Sequence, residues 1–243
     1  SYALAPGESL EAPEMVLAFT CRGLTALSHI YHDVYRENLC RSPYIKRPRP
    51  VLINSWEAAY FDFDEEKLLN IAKNAAQMGV ELFVLDDGWF GKRNNDSSSL
   101  GDWTVNRAKL KHGLKGLSDQ IHNMGLSFGL WIEPEMVSED SDLYRAHPDW
   151  CLRVPGRPAV RGRYQLVLDL SRPDVCRYLA DTINHLLSEA RIEYIKWDMN
   201  RSLSDAWSGM LDRNSQGEVY HKYILGLYRI MDEVILTHPD VIF

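Results

Sequence analysis

The chain has 243 residues, of which 45% are hydrophobic and 25% charged, as is ordinary for one large folded domain or two small ones. Its formal net charge of -7 argues against nucleic acid or an anionic membrane as the main partner, and no apolar run approaches the roughly 20 residues that span a bilayer. Four scattered cysteines form no C-x-x-C pair, which excludes an obvious zinc or redox motif. The first nine residues show no signal-peptide pattern, and free thiols are usual in a reducing compartment, so we predict a cytoplasmic protein.

The first 50 residues are predicted to form two segments. Two apolar stretches around the turn residues Pro6 and Gly7 predict two short strands, the second at residues 15–19. Because two strands alone are marginally stable, we expect residues 1–22 to belong to a larger β unit. Apolar residues at helical spacing then predict a linker helix at about residues 24–39, and a proline-rich basic linker completes the segment 23–50.

From residue 51 onward, apolar strands alternate with amphipathic helices. The predicted strands lie at residues 51–53, 82–85, 126–132 and 192–197, and another begins at 241–243. The helix at 62–79 has Asp62 and Glu65 as a capping box and Gly79 as its C-terminal cap. Three more helices are predicted by apolar stripes at residues 114–124, 173–186 and 223–234.

This alternation predicts an α/β fold with a parallel sheet. An open doubly wound sheet and a (β/α)8 barrel, or TIM barrel, both fit the pattern. An open sheet that binds phosphates has a glycine-rich turn, and the chain contains no such motif. A barrel places its chemistry at the carboxyl ends of successive strands, where this chain repeatedly has tryptophan and acidic residues. We therefore predict that residues 51–243 form about the first four βα units of a barrel and the start of strand five.

Acidic and aromatic residues follow the first three predicted strands of this barrel. Trp56 follows the first strand, the pair Asp86 and Asp87 follows the second, and Glu133 follows Trp131 at the end of the third. The aspartates indicate either a simple turn or acceptors for sugar hydroxyls or a metal. The glutamates Glu133 and Glu135 fit either a solvated loop or a ligand site, and an indole could stack on the apolar face of a pyranose.

The fourth predicted strand ends in the most informative pair of charges. Lys196 and Asp198 alternate along the strand with one residue between them, so their side chains point to the same side. The pair could be a structural ion pair, or Asp198 could be a nucleophile that neighbouring cations keep ionised and fixed. Upstream, Arg163 lies in a short arginine-containing turn that is either solvated or close to an active carboxylate, whose pKa it would lower.

Five ordered motifs between residues 54 and 200 resemble the bacterial α-galactosidases of glycoside hydrolase family 36. They are Asn54-Ser55-Trp56-Glu57-Ala58, Asp86-Asp87-Gly88-Trp89-Phe90-Gly91, Leu100-Gly101-Asp102-Trp103, Trp131-Ile132-Glu133-Pro134-Glu135-Met136 and Lys196-Trp197-Asp198-Met199-Asn200. The resemblance implies that residues 1–22 are the end of that family's N-terminal β-sandwich and that residues 51–243 are the first half of its catalytic barrel. The chain is thus expected to be a catalytic-domain fragment.

The resemblance implies retaining hydrolysis of terminal α-galactosides such as melibiose and raffinose. Asp198 matches the family's nucleophile. The other matching positions surround the sugar or the nucleophile, and they are Trp56, Asp86, Asp87, Trp131, Arg163, Lys196 and Asn200. No metal or organic cofactor is implied. The implied partners are α-galactoside oligosaccharides, and the full-length proteins of the family are implied to be homotetramers.

One departure from the family limits these expectations. The family's general acid/base is an aspartate after the sixth strand, and no equivalent exists up to Phe243, so we expect this chain alone to be weakly active or inactive. Alternatives are a raffinose-type galactosyltransferase, an α-N-acetylgalactosaminidase, a non-catalytic galactoside-binding module, or a metal-dependent barrel lyase with Asp86, Glu133 and Asp198 as ligands.

Overall fold

A computed structural model describes residue 2 and residues 4–243 of the chain. The described residues divide into two compact units, Tyr2–Arg49 and Pro50–Phe243. The boundary between them falls next to the start of the predicted barrel at residue 51. No helix in the described part of the chain is both long and apolar enough to cross a bilayer.

The smaller unit has a helix but not the two predicted strands. Helix α1 spans Gly23–Val34, continues as a π-helical turn at Tyr35–Leu39, and is followed by a 3-10 turn at Pro43–Lys46. Residues 4–22 form no strand, and the predicted positions 1 and 3 lie outside the described residues. The strand prediction was wrong here because the apolar side chains have no sheet to pack on: Leu17 is 85% and Phe19 91% exposed. The assignment of residues 1–22 to an N-terminal β-sandwich stays a prediction.

The larger unit is built on a parallel sheet whose strands lie side by side in chain order. Its strands are β1 (Leu52–Asn54), β2 (Leu82–Leu85), β3 (Ser127–Ile132), β4 (Met136–Ser138), β5 (Gln165–Val167) and β6 (Tyr194–Trp197). The order β1-β2-β3-β6 is parallel throughout, and a bridge from Tyr194 to Ile242 starts the next strand. This stepwise order confirms the predicted first half of a barrel, because an open doubly wound sheet reverses its strand order.

The antiparallel pairing of β4 with β5 was not predicted. These strands pair antiparallel and lie between β3 and the helix that leads to β6. All six of their residues are buried, so the apolar run at residues 165–170 forms part of the core. The pairing continues into a hydrogen bond from the Leu168 N–H to the Glu135 carbonyl, which brings the segment after β3 next to β5.

Helices connect the strands and cover the outer face of the sheet. They are α2 (Trp56–Ala59), α3 (Glu65–Gln77), α4 (Gly113–Asn123), α5 (Asp142–Ala146), α6 (Pro173–Glu189) and α7 (Val219–Thr237), with 3-10 turns at Pro148–Trp150 and Ser215–Glu218. The predicted capping box was wrong. Asp64, not Asp62, caps α3 by accepting from the Lys67 N–H at 2.9 Å, and Glu65 instead accepts from His112.

Candidate active site

The carboxyl ends of four neighbouring strands carry polar side chains that hydrogen-bond across the sheet. Asn54, at the end of β1, donates to Oδ2 of Asp86 after β2 at 2.6 Å. Trp131, near the end of β3, donates its indole N–H to Oδ2 of Asp198 after β6 at 3.0 Å. Since parallel strands end at one edge, residues far apart in sequence meet there. The structure therefore assembles one polar site at this edge.

Asp86 is held by groups from two other strands. The residue is 3% exposed, and its Oδ2 also accepts from Lys196 Nζ on β6 at 2.9 Å. Its own N–H donates to the Ser55 hydroxyl at 3.0 Å, which fixes its backbone. A cation and an amide that donate to the same oxygen fix the orientation of the carboxylate. It can accept a further hydroxyl donor from a ligand.

Asp87 is held by an arginine that sequence reasoning did not identify. Arg93 is 1% exposed and reaches Asp87 with Nε at 3.0 Å from Oδ1 and a terminal nitrogen at 2.9 Å from Oδ2. Burial raises the pKa of the Asp87 carboxyl, and the hydrogen bonds and charge of Arg93 oppose that effect. The fork geometry fixes both carboxylate oxygens in one plane. The only sequence signal was an arginine six residues beyond an aspartate pair.

Neutral donors, not a cation, hold Asp198. Its Oδ2 accepts from Trp131 and from the Asn200 side-chain amide at 2.9 Å, and its Oδ1 accepts from the Met199 N–H at 3.0 Å. The alternative of a structural ion pair between Asp198 and Lys196 is not formed, because the lysine reaches Asp86 instead. Asp198 is half-buried. Fixed donors on a carboxylate suit a nucleophile that must not rotate.

Behind Asp198 lies a fully buried carboxylate, Glu133. Its Oε1 accepts from the Asn200 backbone N–H at 2.6 Å and its Oε2 from the Gln165 amide at 3.0 Å. Burial raises the pKa of Glu133, and the hydrogen bonds from Asn200 and Gln165 oppose the rise. The interpretation of Glu133 as solvated loop charge was therefore wrong. The same is true of Glu135, which is 2% exposed and accepts from Trp197 and Tyr223.

The two predicted aromatic walls differ in exposure. Trp131 is 2% exposed inside an aromatic cluster with Phe90 and Trp103, so it offers the site its N–H and little of its ring face. Trp56 is half-buried, and its ring packs edge-on against Tyr60 and Phe61 at 5.1 Å. Of the two, only Trp56 retains an accessible ring surface beside the site.

Arg163 lies outside this network of contacts. It is exposed, has a positive φ of 51°, and makes no hydrogen bond or ion pair with the described residues. Arg161 pairs with Glu139 at 2.5 Å. The arginine that reaches the site's supporting loops is Arg201, which donates to the Gln165 carbonyl at 2.6 Å. Among the described residues Arg163 does not contact Asp198, and its place near the sugar or the nucleophile stays a prediction.

A second cation missed from the sequence is Lys109. Its ammonium group donates to three backbone carbonyls, those of Phe61, Gly88 and Arg93, at 2.9, 3.0 and 3.1 Å. Burial lowers the pKa of Lys109. An ammonium has three donors, so all of them are used. Lys109 therefore ties the loop after α2 to the turn that carries Asp86 and Asp87.

The carboxylates of the site are not arranged as metal ligands. Throughout the described part of the chain, no three histidine, cysteine, aspartate or glutamate side chains converge in a way that could hold an ion. Asp86 faces Lys196, whereas Glu133 faces N–H donors. The three ligands that the lyase alternative requires are therefore not assembled.

Comparison with known proteins gives one consistent result. A family model described as Melibiase matches residues 9–243. The α-galactosidase AgaA of Geobacillus stearothermophilus is 55% identical over 243 residues, covering 100% of this chain and 33% of that protein. The bifunctional α-galactosidase/sucrose kinase AgaSK of Mediterraneibacter gnavus is 50% identical over 242 residues, covering 100% of this chain and 25% of that protein. The chain thus spans a third or less of the length of these relatives.

Solved structures share the fold. The crystal structure of the GH36 α-galactosidase AgaA from Geobacillus stearothermophilus superposes with a TM-score of 0.88 at 57% identity, covering 90% of this chain and 30% of that one. A variant of that enzyme in complex with raffinose gives a TM-score of 0.88 at 56% identity, with the same coverage.

Proposed function

The chain belongs to the Melibiase family, and on that basis we propose that it carries the nucleophile and galactose-binding part of a retaining α-galactosidase site. The reaction is hydrolysis of terminal non-reducing α-D-galactosyl residues from oligosaccharides of the melibiose and raffinose type. The observation that carries the proposal is the Asp198 carboxylate, held by Trp131 and Asn200 at the end of β6. It lies at the same sheet edge as the Asp86–Lys196 pair.

In the first chemical step, an Asp198 oxygen attacks C1 of the galactosyl unit. A C–O ester bond forms as the bond from C1 to the leaving oxygen breaks, and that oxygen takes a proton from a second carboxyl group about 5–5.5 Å from the nucleophile. Oδ1 is the better candidate for attack because it accepts one hydrogen bond, from the Met199 N–H, whereas Oδ2 accepts two. The second carboxyl group, now deprotonated, then takes a proton from water as the water oxygen bonds to C1, the ester bond breaks, and Asp198 is released with net retention. The second carboxyl group is the aspartate that the family resemblance places after the sixth strand.

The same edge offers acceptors for the sugar hydroxyls. Asp86 and Asp87 are acceptors held in place by Lys196 and Arg93, and carboxylates form strong hydrogen bonds with hydroxyl groups. We assign them to the O4 and O6 hydroxyls of galactose. Trp56 supplies the accessible aromatic surface, and Lys196 and Asn200 contribute donors. Complexes of AgaA variants with raffinose and with stachyose support this substrate class.

Two properties of the whole protein belong to the same proposal. Cysteines 21, 40, 151 and 176 are all free thiols, as is usual in a reducing cytoplasm, and we place the protein there. We also propose the homotetramer that the family resemblance implies. Size-exclusion chromatography with light scattering on the full natural polypeptide tests the tetramer, and a monomer at micromolar concentration would contradict it.

Covalent labelling tests the proposed nucleophile. The full natural polypeptide that carries this sequence is incubated with a fluorinated galactosyl donor that has an activated leaving group, and its peptides are analysed by mass spectrometry. We expect an adduct on the peptide that contains Asp198, and none in the Asp198→Asn variant. An adduct elsewhere, or unchanged labelling of the variant, would refute the assignment. Preferential labelling by the corresponding N-acetylgalactosaminyl donor would instead favour the α-N-acetylgalactosaminidase alternative.

A further inference from the structure

Glu133 is a buried carboxyl group that the proposed reaction does not use. Its side chain is 0% exposed, and among the residues that the structure describes no lysine, arginine or histidine pairs with it. Burying an unpaired carboxylate is costly, even when it accepts hydrogen bonds. Because Glu133 neither contacts solvent nor neutralises a cation, the hydrogen bonds that it accepts are the evidence for its role.

Those contacts lead directly to the nucleophile. The Asn200 backbone N–H donates to Glu133 Oε1 at 2.6 Å, a short charge-assisted hydrogen bond. The Asn200 side chain in turn donates to Asp198 Oδ2 at 2.9 Å. Asn200 lies in a loop after β6, and its N–H makes no backbone hydrogen bond. Glu133 is therefore the group that fixes the Asn200 backbone.

We propose that Glu133 is a positioning residue that fixes Asn200 and, through the Asn200 amide, the rotamer of the nucleophile Asp198. This inference rests on the proposed function, since it assigns Glu133 a part in the same reaction. A nucleophile must approach C1 along one line, and a misplacement of about 1 Å can cost about a hundredfold in rate. Glu133 limits that misplacement without touching the substrate.

Gln165 makes the inference testable by an isosteric substitution. Its Nε2 donates to Glu133 Oε2 at 3.0 Å, and its Oε1 is buried with no hydrogen-bond partner in the described structure. If residue 133 becomes glutamine, the new amide can keep its oxygen on the Asn200 N–H and turn its NH2 toward Gln165. Gln165 then rotates its amide by half a turn, and its unused oxygen accepts the new donor. We therefore expect Glu133→Gln to preserve Asn200, whereas Glu133→Met keeps the side-chain volume but removes the acceptor.

Two measurements on these variants test the proposal. In the full natural polypeptide, the rate of Asp198 labelling by the activated fluorinated galactosyl donor should fall about 10–100-fold in Glu133→Met at unchanged donor affinity, and stay within about threefold in Glu133→Gln. Hydrogen exchange of the Asn200 amide, followed by NMR, should accelerate in Glu133→Met and remain slow in Glu133→Gln. The matched control is Glu135→Gln, which alters a carboxylate of the same motif that accepts from Trp197 and Tyr223. It should change neither quantity while the protein is folded.

The outcomes separate this inference from the proposed function. Wild-type labelling rates in Glu133→Met, or an equally slow Glu133→Gln variant, would overturn the positioning role. If Glu133→Met does not fold, Glu133→Gln decides alone, and loss of Asn200 protection or of labelling in it refutes the proposal. If the wild-type protein is never labelled at Asp198, the proposed function fails, while the exchange rate of the Asn200 amide still tests the contact with Glu133.

Discussion

The ammonium group of Lys196 lies 2.9 Å from Oδ2 of Asp86, although β3 separates the strands that carry the two residues. The lysine side chain therefore extends across the end of β3 to reach Asp86. It does not pair with Asp198, which lies two residues after it in the chain. This contact divides the site into two parts. The charged part holds the acceptors Asp86 and Asp87, and the part around Asp198 is held by neutral donors.

Removing the cation should weaken the charged part of the site. In Lys196→Met, the buried Asp86 carboxylate keeps its hydrogen bond from Asn54 but loses its ion pair. The lysine side chain is 39% exposed, so we expect a loss of about 1–2 kcal/mol in unfolding free energy, between the values for surface and buried pairs. Galactose affinity, measured by calorimetry, should fall as well. Lys196→Arg keeps the charge and should lose less. Equal affinity in Lys196→Met and wild type would contradict the assigned role.

The pH dependence of stability should carry a contribution from Glu133. Burial raises the pKa of Glu133 above its ordinary value of 4.5, so the folded protein keeps this proton to higher pH than the unfolded chain does. Above about pH 4.5 the unfolded state ionises first, and the free energy of unfolding therefore declines as the pH rises toward the folded pKa. Urea titrations over this range should show wild type losing stability relative to Glu133→Gln. Parallel curves for the two proteins would show that burial does not shift this group.

Tyr223 should contribute stability through Glu135. Its hydroxyl donates to Oε2 of the buried Glu135 carboxylate at 2.5 Å and joins α7 to the segment between β3 and β4. In Tyr223→Phe this oxygen loses its donor, and we expect a loss of about 1.5–3 kcal/mol, the range for hydrogen bonds to charged groups. Tyr220→Phe is the control on the same helix, because Tyr220 is 49% exposed. Urea unfolding at neutral pH should leave that control within about 0.5 kcal/mol of wild type.

The packing of α7 depends on one glycine. A Cβ at Gly226 would lie 1.9 Å from the Leu170 carbonyl oxygen and 2.8 Å from its carbon. Backbone atoms cannot rotate away, so Gly226→Ala must shift the helix, and we expect a loss of about 2–3 kcal/mol despite the better helix propensity of alanine. At Gly209 no atom lies within 4 Å of an added Cβ, so Gly209→Ala is a neutral control. Thermal unfolding of both variants measures the difference, and equal melting temperatures would refute the close approach.

Sequence periodicity was a sound guide to the barrel elements but not to their caps or to short strands. Helix α6 begins at the predicted Pro173, and β2 has the predicted bounds, because both depend on local apolar patterns. The strands expected at residues 4–22 were not formed, since strand pairing requires partners that a local pattern does not supply. The antiparallel pairing of β4 with β5 was missed for the related reason that it joins segments almost 30 residues apart.

The sequence by itself determined which strand ends carry carboxylates, because the alternation of apolar runs and helices sets the strand direction and parallel strands end at one edge. It therefore placed Asp86, Asp87 and Asp198 at one edge of the sheet. Only the tertiary structure decided which donor reaches which carboxylate: Lys196 reaches Asp86, Arg93 reaches Asp87, and Asn200 reaches Asp198. Several donors follow each acidic residue in the chain, and the choice among them depends on side-chain reach and burial across strands that no local pattern encodes.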